Sequence, residues 1–186
     1  MKNPAIRYAA FLRGINVGGN KKVPMADLKK VLEKHGFRNV LTLLASGNVL
    51  FDADEKNAAM LKKTFETVFE KKFGFTSSVI LRSAADLAAL AVSDPFKGIA
   101  VTPDTRLYVT FLSAKPTSGL KIPYVSPNKD FSILRVTDTE IISVLQISPT
   151  TDTTKVMTIL EKEYGKDVTT RNWNTVQKML AAGENH

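Results

Sequence analysis

The sequence predicts an α+β fold made of two ferredoxin-like halves, and two observations support this prediction. The apolar periodicity of residues 1–82 changes in the order strand, helix, strand, strand, helix, strand, which is the order of a split βαβ (βαββαβ) plait. Residues 105–186 repeat this order approximately and end in a helix. We therefore expect tandem ferredoxin-like α/β plaits packed into one compact unit, with a C-terminal helix.

In the first half, apolar runs predict four strands, at residues 6–12, 39–45, 49–51 and 76–81. The buried stripes of two amphipathic helices are expected to contain Met25, Leu28, Val31 and Leu32, and then Leu61, Phe65, Val68 and Phe69. Pro24 begins the first helix, and Asp52 or Asp54 is expected to cap the second. Ser46-Gly47-Asn48 is interpreted as a hairpin turn, because Gly and Asn accept positive φ.

Residues 83–104 are predicted to form a short alanine-rich helix and a connector between halves at 1–82 and 105–186. In the second half, strands are expected at 106–112, 131–136, 141–146 and near Val168. Asp152 is expected to cap a helix that buries Val156, Ile159 and Leu160. Residues 116–127 take the place of a clear helix.

Composition excludes several kinds of chemistry. The chain has 186 residues, no cysteine and two histidines, which excludes disulfides, thiol nucleophiles, iron–sulfur clusters and thiolate zinc sites. His35 stands before Gly36 at an expected helix end, where the helix dipole favours cations and Gly suits the left-handed stop, so its role is interpreted as structural. We predict no metal site and no cofactor, and we assign no catalytic residue.

The charge pattern bears on partners and location. The net charge of +8 favours anionic partners, although most lysines alternate with acids as on a solvated helix face. Tyr8, Phe11 and Phe51 do not form the basic and aromatic signature of RNA-recognition modules, so nucleic acid is a weakly supported partner. The sequence contains no signal peptide or membrane-length apolar run, which predicts a cytoplasmic protein without membrane contact. The oligomeric state stays open.

The segment from Arg13 to Lys22, called here the glycine loop, is the first candidate site. It combines glycines with cations and amides just before a helix, which favours binding of phosphate or carboxylate. Neither a P-loop nor a dinucleotide-binding fingerprint matches, because the glycine spacing and the following residues differ. The candidate ligand residues are Arg13, Gly14, Asn16, Gly18, Gly19, Lys21 and Lys22. The alternative interpretation is a crossover loop without a ligand.

A second candidate surface surrounds Trp173, which is expected to lie on the buried stripe of the last helix with Val176 and Leu180. Thr170 or Asn172 is expected to cap that helix. The candidate ligand residues here are Arg171, Asn172 and Asn174. Arg171 has two open interpretations, a ligand group or a clamp on a buried acid such as Asp152 or Glu163. We further expect the Ser46-Gly47-Asn48 turn to lie at the opposite end of the sheet from the glycine loop.

Three stretches resemble the bacterial family known as domain of unknown function 1697: Ala10 to Gly19, Ser46 to Val49, and Thr170 to Val176. The resemblance covers nearly the whole chain and implies a tandem α/β plait, but no activity.

From these motifs, our leading hypothesis is that the glycine loop binds a small anionic ligand, with Arg171 to Asn174 as a second contributor. One alternative is an enzyme that acts on a phosphorylated or acyl substrate without His or Cys catalysis. The other is a protein-interaction or dimerisation module whose motifs are structural.

Overall fold

The computed structural model describes residues 5–18, 21–54, 57–117, 119–149, 151 and 153–184. In this part of the chain, a mixed α+β fold contains two antiparallel sheets and five helices, the last of them C-terminal. The chain divides into two compact units. The first comprises the described parts of Met1–Val92 and Lys178–His186, and the second comprises those of Ser93–Gln177.

The first unit contains β1 (Ile6–Leu12), α1 (Met25–Lys34), β2 (Arg38–Leu43), β3 (Asn48–Ala53), α2 (Ala58–Phe73), β4 (Val79–Ser83) and α3 (Ala84–Val92). Its sheet has the order β2-β3-β1-β4, and each neighbouring pair is antiparallel. Alternate residues of β1 face the main core, where Phe37, Phe51 and Phe65 pack with ring centroids 4.8 to 6.2 Å apart. The predicted apolar stripe of α2 is buried in this core.

The second unit contains β5 (Thr105–Leu112), β6 (Tyr124–Val125), β7 (Phe131–Val136), β8 (Glu140–Gln146), α4 (Thr153–Tyr164), β9 (Val168–Asn172) and the start of α5 (Trp173–Glu184). The sheet has the order β6-β7-β8-β5-β9. Its core joins β5, β7, β8 and β9 to Val156 and Leu160 of α4. The short edge strand β6 lies in the segment where the sequence predicts no clear helix.

The direction of β3 contradicts the expectation that the hairpin turn lies far from the glycine loop. β1 and β3 are antiparallel, and Phe11 lies opposite Asn48. The end of β1 therefore adjoins the start of β3. The expectation is wrong because the hairpin after β2 reverses the chain, so β3 must run against β1.

The predicted cap of α2 is also wrong. Asn57 caps the helix, because its side-chain oxygen accepts hydrogen bonds from the N–H groups of Ala59 and Met60 at 3.0 and 3.2 Å. Asp52 instead lies in β3 and pairs with Arg7 at 2.9 Å, and Asp54 pairs with Arg38 at 2.6 Å. β3 extends two residues beyond its predicted end, to Ala53, so Asp52 lies in the strand and Asp54 directly follows it. Each carboxylate pairs with an arginine of another strand. Asp152, the predicted cap of α4, lies outside the described residues.

No helix in the described part of the chain combines the length and the apolar character that crossing a membrane requires.

Candidate functional site

The glycine loop follows β1, and its first residues lie between two other segments of the first unit. The N–H of Leu12 donates to the carbonyl oxygen of Gly47 at 2.8 Å, and the N–H of Arg13 donates to that of Ser78 at 2.9 Å. The hydroxyl of Ser77 donates in turn to the carbonyl oxygen of Arg13 at 2.9 Å. The loop therefore begins in a fixed position, between the β2–β3 turn (residues 44–47) and the chain that enters β4.

Asn16 connects the loop to this turn. Its side-chain nitrogen donates to the carbonyl oxygens of Ala45 and Val23 at 2.7 and 3.1 Å, and its side-chain oxygen accepts from the N–H of Val23 at 2.8 Å. Both amide hydrogens and the oxygen are thus used by the main chain of the protein. This geometry makes Asn16 a residue that positions the loop.

Gly14 and Gly18 are exposed and have φ of +65° and +62°. No described atom lies within 4 Å of a Cβ placed on either residue. Glycine is therefore required here for its backbone conformation, which costs other residues energy, and not to avoid a clash within the described residues. Gly19, another predicted ligand residue, lies outside the described residues.

The three described cations of the loop differ in exposure. Arg13 is half-buried, whereas Lys21 and Lys22 are exposed. The Nζ of Lys21 lies 5.5 Å from the centroid of the Phe75 ring, a cation–π distance, and Lys21 has φ of +49°. The loop therefore presents positive charge beside an aromatic ring.

Two exposed apolar side chains lie in the glycine loop and in the β2–β3 turn, and sequence reasoning did not single out the second of them. Val17 is 67% exposed and Leu44 is 53% exposed. Because Asn16 bonds to Ala45, both side chains are next to a contact between the loop and the turn. Leu44 also has φ of +59°, which is uncommon for a bulky residue. An apolar residue at the end of a strand predicts only a longer strand, and for this reason sequence reasoning missed Leu44.

Gly47 allows the turn to approach the loop. A Cβ on Gly47 would lie 2.9 Å from Leu12 Cβ and 2.9 Å from Ile15 Cδ1. The next residue, Asn48, is fully buried in β3 and donates to Leu43 O and Ser46 Oγ at 3.1 and 3.0 Å. The Gly-Asn pair therefore closes the turn tightly against the base of the glycine loop.

The other predicted site residues lie in the second unit. Arg171 is 9% exposed, and its guanidinium donates to Thr169 Oγ1 at 2.7 Å and to the carbonyl oxygen of Thr170 at 2.9 Å. Burial lowers the pKa of Arg171 to about 10. Asn172 accepts from the N–H of Asn174 at 3.0 Å and so caps α5, while the side chain of Asn174 is exposed. Trp173 packs against Phe96, with ring centroids 5.6 Å apart.

Comparisons with known proteins agree with this fold. A profile of the family described as protein of unknown function DUF1697 matches residues 6–142. Among solved structures, the chain is similar to the conserved bacterial protein SP0830 from Streptococcus pneumoniae, with a TM-score of 0.65 and 23% sequence identity over 96% of this chain and 98% of that chain. At this identity, the likeness concerns the fold alone. No curated protein matches the chain.

Proposed function

Because the chain belongs to the DUF1697 family, whose description assigns no activity, we propose a function from the geometry of the first unit: the glycine loop binds a small ligand that carries a phosphate or carboxylate group. Arg13, Lys21 and Lys22 supply the positive charge. Asn16 positions the loop, and Gly14 and Gly18 give it its backbone shape. The proposal does not depend on Arg171, Asn172 or Asn174.

The observation that carries this proposal is the set of three hydrogen bonds made by the Asn16 side chain. They tie residue 16 of the loop to Val23 and to Ala45 of the turn before any ligand arrives, which lowers the ordering cost of binding. A loop that served only to connect β1 and α1 would not need two exposed lysines, Lys21 and Lys22, next to a residue bonded in this way.

Charge distribution also supports an anionic ligand for the first unit. By sequence, this unit has 16 lysines and arginines against 9 aspartates and glutamates, a net charge of +7, whereas the second unit has 10 against 9, a net charge of +1. Nearly all of the net charge therefore belongs to the unit that contains the glycine loop. Such a charge attracts anions and speeds their association.

Exposed apolar side chains in the loop and the turn indicate which kind of anion the loop would bind. Val17 lies in the glycine loop and Leu44 in the turn that Asn16 joins to the loop, and both side chains offer exposed apolar surface. A ligand with an anionic end and a short apolar part would use both features, because apolar contacts add affinity that charge alone does not supply in water. We therefore favour a small phosphate ester or carboxylate over the inorganic anion.

We also infer that each of the two units is a ferredoxin-like plait. The order β2-β3-β1-β4 of the first unit recurs as β7-β8-β5-β9 in the second, which supports two ferredoxin-like plaits. A cytoplasmic location stays a prediction from the sequence.

Calorimetric titration with butyl phosphate, butyrate and inorganic phosphate at physiological salt tests the proposed function. We expect saturable binding with a stoichiometry of one at the loop, and tighter binding of butyl phosphate than of inorganic phosphate. Lys22→Gln should weaken binding of butyl phosphate about tenfold, since a hydrogen bond to a charged group contributes about 1.5–3 kcal/mol.

Lys29→Gln is the matched control. It removes the same charge from α1, where Lys29 pairs with Glu33 at 3.8 Å and does not belong to the loop. Equal weakening by Lys22→Gln and Lys29→Gln, or the absence of saturable binding, would show that the loop is not a ligand site.

A further inference from the structure

A groove between α1 and α2 carries a second concentration of positive charge that the glycine loop does not include. Its volume is about 570 Å³, which is in the range of small-molecule sites. Lys30 and Lys34 line it from α1, and Lys71 and Lys72 line it from the last turn of α2. Among the described residues, the lining also includes Val31, Val68 and one carboxylate, that of Asp27. Four lysines and one acid therefore line the same open groove.

Ion pairing distinguishes the four groove lysines from Lys29 and Lys62 on the same helices. Lys29 pairs with Glu33, and Lys62 pairs with Glu66, each at 3.8 Å and one turn apart. Neither Lys29 nor Lys62 lines the groove. In the described part of the chain, no ion pair involves Lys30, Lys34, Lys71 or Lys72. Lys29 and Lys62 thus have acidic partners on their own helices, whereas the four groove lysines have none among the described residues.

His35 also lines the groove, from the C-terminal end of α1. It is exposed at the C-terminal end of α1, and its Nδ1 lies 2.8 Å from the carbonyl oxygen of Val31. Because a carbonyl oxygen only accepts, Nδ1 carries the hydrogen and donates to Val31, which fixes the ring orientation. The helix end that sequence reasoning assigned to His35 is therefore also one wall of the groove.

We propose that this groove binds a small ligand with at least two linked phosphate groups. The lining from residue 27 to residue 35 spans about 12 Å along α1, at 1.5 Å per residue. Lys30 and Lys34 are one turn apart, so their ammonium groups can contact successive phosphates of one chain. The length and volume fit an oligophosphate, and none of the described lining residues is a Phe, Tyr or Trp that could stack nucleic-acid bases.

The proposal is independent of ligand binding by the glycine loop, and its test keeps the two sites apart. The probe is inorganic tripolyphosphate at physiological salt, and the readout is the ring signals of His35 in a ¹H–¹⁵N NMR spectrum. His35 and His186 are the only histidines, so the ring signals are few. We expect a saturable shift of the His35 signals, with the same curve in a Lys21→Gln/Lys22→Gln variant whose loop charge is reduced.

Two double variants give the decisive comparison. Lys30→Gln/Lys71→Gln removes one groove lysine from each helix and should weaken tripolyphosphate binding at least tenfold. Lys29→Gln/Lys62→Gln removes the same charge from the same helices outside the groove and should change the affinity less than twofold. Circular dichroism melts establish that both double variants fold.

Three results would overturn the proposal. One is a similar loss of affinity in both double variants, which would indicate general charge attraction. Another is the absence of a saturable His35 shift. The third is displacement of tripolyphosphate by single-stranded DNA at an equal or lower phosphate concentration, which would make a nucleic-acid backbone the better ligand.

Discussion

Asn16 and Gly47 together determine how the glycine loop meets the β2–β3 turn. The amide of Asn16 bonds to the main chain at Val23 and Ala45, and the missing side chain of Gly47 leaves room for Leu12 and Ile15. Sequence reasoning assigned positive φ to Gly47, and its φ is +77°. The close approach could not be predicted, because it depends on residues more than thirty positions earlier in the chain.

Gly47→Ala tests this contact. Gly74 ends α2 with the same φ of +77°, but no described atom lies within 4 Å of a Cβ placed on it. Gly74→Ala should therefore cost only the conformational term of about 1–2 kcal/mol. Gly47→Ala adds overpacking, which typically costs about 1–3 kcal/mol more. Urea denaturation of both variants measures the difference in the free energy of unfolding, and equal values would contradict the close approach.

Arg171 gives a test that depends on pH. Because burial lowers its pKa to about 10, the folded state releases this proton at a lower pH than the unfolded state does. The unfolded state then binds more protons above pH 10, so stability rises with pH there. Relative to Arg171→Met, wild type should gain up to about 1 kcal/mol of unfolding free energy between pH 9 and pH 10.5.

The comparison within one pH series cancels the other alkaline titrations, and Lys97→Met, at an exposed position, is the control. Urea denaturation is the measurement. A constant difference between wild type and Arg171→Met would show that the guanidinium is not destabilised by burial.

At the scale of the elements, local patterns predict what local forces determine. The strand at Ile6–Leu12 and the buried stripe of α2 lie as the apolar periodicity predicts. The cap of α2 was missed because Asp52 and Asp54 fit the pattern of a cap equally well. Only the pairing of Asp52 in β3 with Arg7, and of Asp54 just after β3 with Arg38, shows that these carboxylates bond to arginines of other strands.

The cap itself is open to measurement. Asn57→Ala removes the acceptor for the N–H groups of Ala59 and Met60 and should cost about 1 kcal/mol of unfolding free energy. Asn57→Ser keeps an acceptor and should cost only a few tenths of that value. Urea denaturation compares the two variants, and equal losses would mean that the side chain does not cap the helix.

At the scale of the whole molecule, the arrangement of the candidate sites depends on topology. The glycine loop and the β2–β3 turn meet because β3 runs antiparallel to β1 between β1 and β2. Likewise, Lys30 and Lys71 line one groove only because α1 and α2 pack side by side. Sequence reasoning found these cations but interpreted the lysines of α2 as a solvated face, since a pattern along one helix carries no information about its neighbour.

The division of the chain into two units also depends on topology. The chain forms most of the first unit before Val92 and returns to it at Lys178, where α5 continues. A Cβ placed on Gly183 would lie 3.9 Å from both Leu50 and Arg7. No local signal near the C-terminus specifies this return, because the partners of residue 183 belong to β1 and β3.

A ¹H–¹⁵N NMR titration of the backbone amides with butyl phosphate tests whether the glycine loop binds an anionic ligand. We expect saturable shifts at residues 13–18 and 44–47, since the first segment contains Arg13 and Asn16 joins it to the second. Shifts that do not saturate, or that leave both segments unchanged, would contradict it.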